Sequence, residues 1–321
     1  MISRSLKVLA LISVCGLLIC SLALVGCSSS GPPAFEGPPV RVVCTTTIVA
    51  DVVQRVGGDR VTVEMLMGPG IDPHRYLPTP GDQARLEAAH IVFFSGLHLE
   101  GKMTDTFEKS SGRIRGFAVT RGIPKELLRQ AEPGSEAHFD PHVWFDVKLW
   151  MKSVDCVREE LSNLDPAGAD QYRRNAETYV KELDALDAEI RMKLHTVPEK
   201  QRVLVTSHDA FGYFGRAYGY EVRGLQGVST ASETGTTDVQ ALARYLGQNR
   251  IPAVFTETST SSGGLKAVLD VCQSDYKHHV KLIGGDDALY SDALGEPNSL
   301  GGTYPGMIRH NVAVIVEALS K

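Results

Sequence analysis

Short apolar runs alternate along this chain with stretches whose apolar residues recur every three or four positions. Val40 to Thr45, Val61 to Met67 and Ile91 to Phe94 read as strands in the first half, and Val203 to Thr206, Ala253 to Thr256 and Val280 to Ile283 do so in the second. Pro80 to Ala89, Val147 to Leu161 and Leu265 to Cys272 read as helices between them. Strands that alternate with helices predict parallel sheets, because each crossover must travel back over a sheet face before the next strand begins. The expected fold class is α/β, with two lobes that each carry a parallel sheet flanked by helices.

The strongest periodic segment lies between the halves. Tyr172, Ala176, Tyr179, Leu183, Leu186, Ile190 and Leu194 fall on one face of a helix. Asp165-Pro166 predicts an N-cap followed by proline at the first helical position, and Pro198 predicts a stop. Roughly 30 residues at 1.5 Å rise make a rod of about 45 Å. Arg173, Lys181, Asp187 and Lys193 are expected on its solvent-exposed back. One isolated helix of this length argues against a coiled coil and for a rigid link that limits how far two lobes can swing. The division expected is a first lobe over 40–164, a linking helix over 165–197 and a second lobe over 198–321.

The front of the chain is patterned differently. Arg4 and Lys7 precede an apolar run from about Val8 to Val25, the layout of an export signal. The run ends in Leu24-Val25-Gly26-Cys27, which reads as a bacterial lipobox, so residues 1–26 are expected to be a signal peptide and Cys27 the lipidated residue. The alternative is an uncleaved membrane helix. The Ser/Gly/Pro-rich stretch over 27–39 cannot build a core and favours a tether behind a lipid anchor. The folded part is therefore expected outside the cytoplasm, anchored to a bacterial membrane.

Composition, 43% hydrophobic and 22% charged, suits an ordinary globule. The formal charge of -5 becomes more negative when Arg4 and Lys7 leave with the signal. A mildly acidic protein is a poor nucleic-acid binder and suits a cationic ligand. Cys44, Cys156 and Cys272 remain after the leader and the lipobox. An odd number without Cys-x-x-Cys spacing argues against a disulfide scaffold or a thiolate metal site, and buried free thiols are expected.

The chemistry concentrates in a repeated tripeptide. Asp-Pro-His occurs at Asp72-Pro73-His74 and again at Asp140-Pro141-His142. A third histidine, His208, closes the run Val203 to Thr206 in Thr-Ser-His-Asp, and Asp292 lies beyond Val280 to Ile283. Ligands in open α/β sheets bind outside the carboxyl ends of strands. His74, His208 and Asp292 have that setting, while His142 precedes a helix that Asp146 can cap. Three imidazoles and a carboxylate can close a shell around one transition-metal ion. Proline fixes its own φ and keeps the preceding aspartate extended, which stiffens each loop. Asp72, Asp140 and Asp209 are candidates to orient an imidazole, although helix capping or solvated charge is the simpler account of each. Glu257 is read as a carboxylate standing behind a ligand, and Asp286 and Asp287 compete with Asp292 for the fourth position. His90 is read as structural. His98, His138, His195, His278, His279 and His310 lack the strand-exit setting, with Glu132, Glu136 and His138 forming a polar loop that could pass metal inward. The Gly/Ser/Thr stretches over 227–237 and 259–264 match no phosphate-binding fingerprint and are read as flexible cleft-edge loops.

Six segments taken together resemble the TroA-like, or cluster A-I, solute-binding lipoproteins that serve zinc and manganese ABC importers. They are Val56-Gly57-Gly58-Asp59, Met67 to His74, Leu97-His98-Leu99-Glu100-Gly101, Asp140-Pro141-His142-Val143-Trp144, Thr206 to Phe211 and Tyr290 to Gly295. The likeness runs from about Val40 to the C-terminus. It implies two α/β lobes joined by a rigid helix, metal in the cleft between them, and His74, His142, His208 and Asp292 as ligands. It implies delivery to an ABC permease, a binding protein rather than an enzyme, and a monomer. Manganese-selective members tend to carry glutamate where this chain has His208, so zinc is favoured, with manganese next and ferrous iron third. The long His/Asp-rich loop of dedicated zinc members is absent. A zinc hydrolase is the alternative, with three histidines, an open water position and Glu257 as general base, but no His-Glu-x-x-His motif is present. An adhesin or a receptor for a metal chelate is a further rival.

Overall fold

The computed structural model describes residues 31–103, 106–107, 112–132, 137–232 and 234–320. The expected leader over 1–26 and the lipidation site Cys27 lie outside the described residues. Among the described residues no helix is long and apolar enough to cross a membrane.

Two four-stranded parallel sheets form the frame, as the alternation predicts. The first sheet contains β1 (Val40–Cys44), β2 (Val61–Met65), β3 (Ile91–Phe94) and β4 (Gly116–Ala118), in the order β2-β1-β3-β4. The second contains β5 (Val203–His208), β6 (Glu221–Gln226), β7 (Ala253–Phe255) and β8 (Lys281–Ile283), in the equivalent order β6-β5-β7-β8. In each sheet the strand order reverses beside the first strand, which opens a crevice at the carboxyl ends of β1 and β3 and of β5 and β7. β4 and β6 are absent from the hydrophobic reading. β4 is three residues long and begins with glycine. β6 is an edge strand that buries only Leu225 and keeps Glu221 and Arg223 outside.

Eight helices are described. α1 (Thr47–Gly57) and α2 (Pro80–Ala88) belong to the first half, and α3 (Val147–Leu164) and α4 (Ala169–Leu194) connect the halves. α5 (Gly212–Tyr218), α6 (Thr236–Asn249), α7 (Gly263–Tyr276) and α8 (Tyr304–Leu319) complete the second. α2 starts on the full capping box of Thr79 and Asp82 with Pro80 behind it, because two orphan N–H groups are satisfied reciprocally. Asp146 caps α3 by accepting the Leu149 N–H, as expected.

The linking helix departs from expectation at its start and on its back. α4 runs 26 residues, about 39 Å at 1.5 Å per residue. It begins after a 3-10 turn over Pro166–Gly168, and Asp165 makes no side-chain cap there. The Asp165 carboxylate is instead taken by Arg60 at 2.8 and 3.0 Å and by the Tyr172 hydroxyl at 2.7 Å. Asp187 is not on the solvent face. It is buried between Tyr218 Oη at 3.0 Å and Arg191 Nε at 2.8 Å. The seven apolar positions from Tyr172 to Leu194 are all buried, in one continuous core that takes in α1, α3 and α8. α8 returns to the first half, where Tyr304 Oη donates to the Trp144 carbonyl at 2.7 Å. Cys44, Cys156 and Cys272 are buried free thiols.

Leu186 is fully enclosed in that shared core, whereas Met192 on the same helix is 70% exposed. Leu186→Ala should cost about 2–5 kcal/mol and Met192→Ala no more than about 0.5 kcal/mol, read as the shift in urea midpoint.

Candidate metal centre

The two Asp-Pro-His segments fold alike, and the reason is local. Asp72 Oδ1 accepts the His74 N–H at 2.9 Å, and Asp140 Oδ1 accepts the His142 N–H at 2.9 Å. Each is an aspartate turned back on the amide two residues ahead, with proline fixing the backbone between them. Asp140 goes further than capping or solvation. Its Oδ1 also lies 2.8 Å from His142 Nδ1, and Arg129 Nη1 donates to its Oδ2 at 2.8 Å. The ring is thereby held with Nε2 facing the cleft. Asp72 Oδ2 instead accepts from Thr230 Oγ1 at 2.5 Å, across to the second half.

His208 is the last residue of β5, so the strand itself aims its ring. Glu257, two residues beyond β7, accepts the His208 N–H through Oε1 at 2.9 Å. Its Oε2 stands 2.5 Å from His208 Nδ1, a close charge contact whose alignment falls short of a hydrogen bond. Asp292 follows Ser291, whose carbonyl accepts from Trp144 Nε1 at 3.0 Å. Ser259 Oγ reaches Asp292 Oδ2 at 3.4 Å and Ser291 Oγ at 2.7 Å.

These loops bring His74, His142, His208 and Asp292 together, with one donor atom from each lying within 4.8 Å of the others. His142 Nε2 is 3.3 Å from His74 Nε2, 3.4 Å from His208 Nε2 and 3.4 Å from Asp292 Oδ1, and His208 Nε2 is 3.4 Å from Asp292 Oδ2. Bonds of about 2.0–2.1 Å in a tetrahedron put neighbouring donors about 3.3–3.4 Å apart. All four side chains are buried, and among the described residues Asp292 Oδ1 has no hydrogen-bond donor. An orphaned carboxylate oxygen among converging imidazole nitrogens suits a cation.

The family model for the zinc-uptake complex component A, periplasmic, matches residues 42–318. This chain belongs to that family. It is 44% identical over 302 residues to the manganese-binding lipoprotein MntA of Bacillus subtilis, covering 94% of this chain and 97% of that one. It is 46% identical over 288 residues to the zinc-binding protein TroA of Treponema pallidum, covering 90% and 91%. The solved structure of the periplasmic zinc-binding protein TroA from Treponema pallidum superimposes with a TM-score of 0.84 at 44% identity, covering 89% of this chain and all of that one.

In this member of the zinc-uptake component family the centre is electrostatically divided. Burial holds the His74 imidazole down to about 3, so it stays neutral. Burial also opposes charge on His142, but the contacts with Asp140 and Asp292 outweigh it and raise the group to about 9. His208 is likewise pulled well above its ordinary value, with Glu257 and Asp292 overcoming burial. Burial would raise Asp292, yet the neighbouring imidazoles hold it well below the usual carboxylate range. Protons on His142 and His208 therefore supply the positive charge when no ion does.

The other sequence candidates separate cleanly. Asp286 and Asp287 are exposed in a 3-10 turn outside the cluster. His90 accepts the Arg41 N–H at 3.0 Å inside the first lobe. His195, His278 and His310 face backbone carbonyls at 2.7, 2.7 and 3.0 Å. His138 and His279 are exposed, and Glu136 lies outside the described residues. His98 is a correction: it sits four residues past the end of β3, a strand-exit position, and lines a cavity with His74. The short strand Ile91–Phe94 was legible, but the turn that carries the chain from it to His98 was not.

A cation must displace the protons on His142 and His208, so apparent affinity should climb as pH rises through neutrality toward about 9, where His142 gives up its proton. Calorimetric titrations at pH 7 in buffers of differing ionisation enthalpy should register release of about one to two protons per ion.

Proposed function

We propose that this chain is an extracytoplasmic solute-binding lipoprotein that captures one divalent transition-metal ion and hands it to an ABC permease. His74, His142, His208 and Asp292 are the ligands in this reading, and Asp140 and Glu257 orient two of the rings. The observation that carries it is the convergence of four buried donors, two from each half of the chain, within 4.8 Å of one another. Zinc is favoured over manganese, since nitrogen-rich tetrahedral sites suit zinc and manganese prefers more oxygen ligands. One close relative is named for manganese and another for zinc, which keeps manganese as the second cargo.

Capture replaces hydration water with neutral imidazoles and a carboxylate while the protons leave to solvent. The lobes are strapped around the site by Trp144 Nε1 to the Ser291 carbonyl at 3.0 Å, the Leu294 N–H to Thr47 Oγ1 at 2.7 Å, and Thr230 Oγ1 to Asp72 at 2.5 Å. A filled, strapped site lets go slowly, so release is assigned to distortion of one lobe by the permease. The lipid at Cys27 keeps a monomeric carrier beside that permease. Hydrolase chemistry needs an open fourth position and room for a substrate. Here Asp292 takes that position, and the donors are at most 4% exposed.

Metal-free, tagless protein offered equal zinc and manganese should retain about one ion per chain, mostly zinc. His208→Ala and Asp292→Ala should each lose stoichiometric metal by elemental analysis. Glu257→Gln should weaken binding by about 10–100-fold by chelator competition, because an orienting carboxylate is removed and not a ligand. Unchanged zinc in both alanine variants would remove the reading.

A further inference from the structure

The segment Leu97-His98-Leu99-Glu100-Gly101 has no part in the centre described above, yet its geometry is tightly imposed. Glu100 is buried, and its Oε1 accepts from Thr45 Oγ1 and the Ser95 N–H at 2.7 Å each. Its Oε2 accepts the Gly96 N–H at 3.2 Å, so one carboxylate ties the ends of β1 and β3 together. Between these fixed points Leu97 (φ 54°) and His98 (φ 69°) are both left-handed, an arrangement that L side chains adopt only where the surroundings enforce it. The consequence is directional. Leu99 is buried and Leu97 packs on the core, while His98 is turned outward. The imidazole folds back over Gly101, where a Cβ would stand only 2.8 Å from Nε2.

Outward here means into the mouth of the centre. A cavity of about 240 Å³ is lined by His98, Lys102 and Pro141 on one side and by Val228 and Ser229 of the second lobe on the other, with His74 also on its wall. His74 is the donor that borders this cavity and is 4% exposed, whereas His142, His208 and Asp292 are at most 1% exposed. An ion that reaches the four donors through this cavity passes His98 and meets His74 first.

We propose that His98 is a transient coordination site for the divalent cation, a stop at the mouth from which the ion passes to His74 and through which it departs. The inference rests on the reading that His74, His142, His208 and Asp292 hold the ion. A hydrated dication must lose its water to be enclosed, and exchanging one water for the His98 imidazole before the rest divides that cost into smaller steps. Lys102 at the same rim repels a dication, so the stop is shallow and does not compete with the centre. A residue on the path lowers the barrier equally in both directions, so it changes rates and leaves Kd alone.

The test is stopped-flow fluorescence of full-length protein with zinc alone, using Trp144, whose ring centroid is 5.3 Å from that of His142. His98→Asn removes the imidazole and keeps a residue type that tolerates the left-handed backbone, and His98→Gly removes the imidazole and the strain together. Both should slow association and dissociation alike by roughly tenfold, with Kd held within about twofold. His279→Asn, an exposed histidine that does not line the cavity, should leave both rates unchanged. Wild-type rates in either His98 variant, or a Kd that weakens because dissociation alone quickens, would overturn the proposal. Tight wild-type binding with unchanged His98 rates removes only this inference. A wild type that takes up no zinc removes the reading beneath it as well.

Discussion

The structure depends on a buried negative charge that cannot be left alone. Asp292 is enclosed, its Oδ1 has no hydrogen-bond donor among the described residues, and imidazoles from distant parts of the chain converge on it. Charge removed from water must be paired, and here it can be paired by protonated rings or by an ion that takes their place. That choice couples the two lobes, since His74 and His142 come from one side and His208 and Asp292 from the other. The straps at Trp144, Thr47 and Asp72 hold the sides at the distance the pairing requires.

The orienting layer behind the rings gives the centre its division of labour. Asp140 and Glu257 are both carboxylates set behind imidazoles, and they fix which nitrogen faces inward. Among the described residues His74 has no such acid at its ring. Its aspartate, Asp72, spends one oxygen on the His74 amide and the other on Thr230. That difference leaves His74 neutral and at the cavity, while His142 and His208 hold charge in the interior. The same tripeptide therefore serves two purposes, and the decision lies with what the second carboxylate oxygen meets.

The shared core explains why a cleft protein can be stiff. α4 packs on α1 and α3 of the first half, and α8 returns from the second half to pack beside them. A rod continuous with both cores limits lobe movement to small rotations. This agrees with a centre whose four donors already lie within 4.8 Å of one another.

Much of this was written in local pattern. Alternating apolar runs determined the parallel sheets, because strand and helix periods differ along the chain itself. The seven apolar positions of α4 determined its buried face, and the paired Asp-Pro-His segments marked two rings of the centre. Tertiary structure alone decided the rest, because it depends on what lies across space. Arg60 and Tyr172 claimed Asp165 from its cap, Tyr218 and Arg191 drew Asp187 inward, and the half-polar edge strand β6 needed β5 beside it to become a strand. Arg129 made Asp140 an orienting group, and the Glu100 anchor turned His98 to the mouth. Sequence spacing carries no information on which distant partner reaches a carboxylate first, and that contest set the chemistry of each acid here.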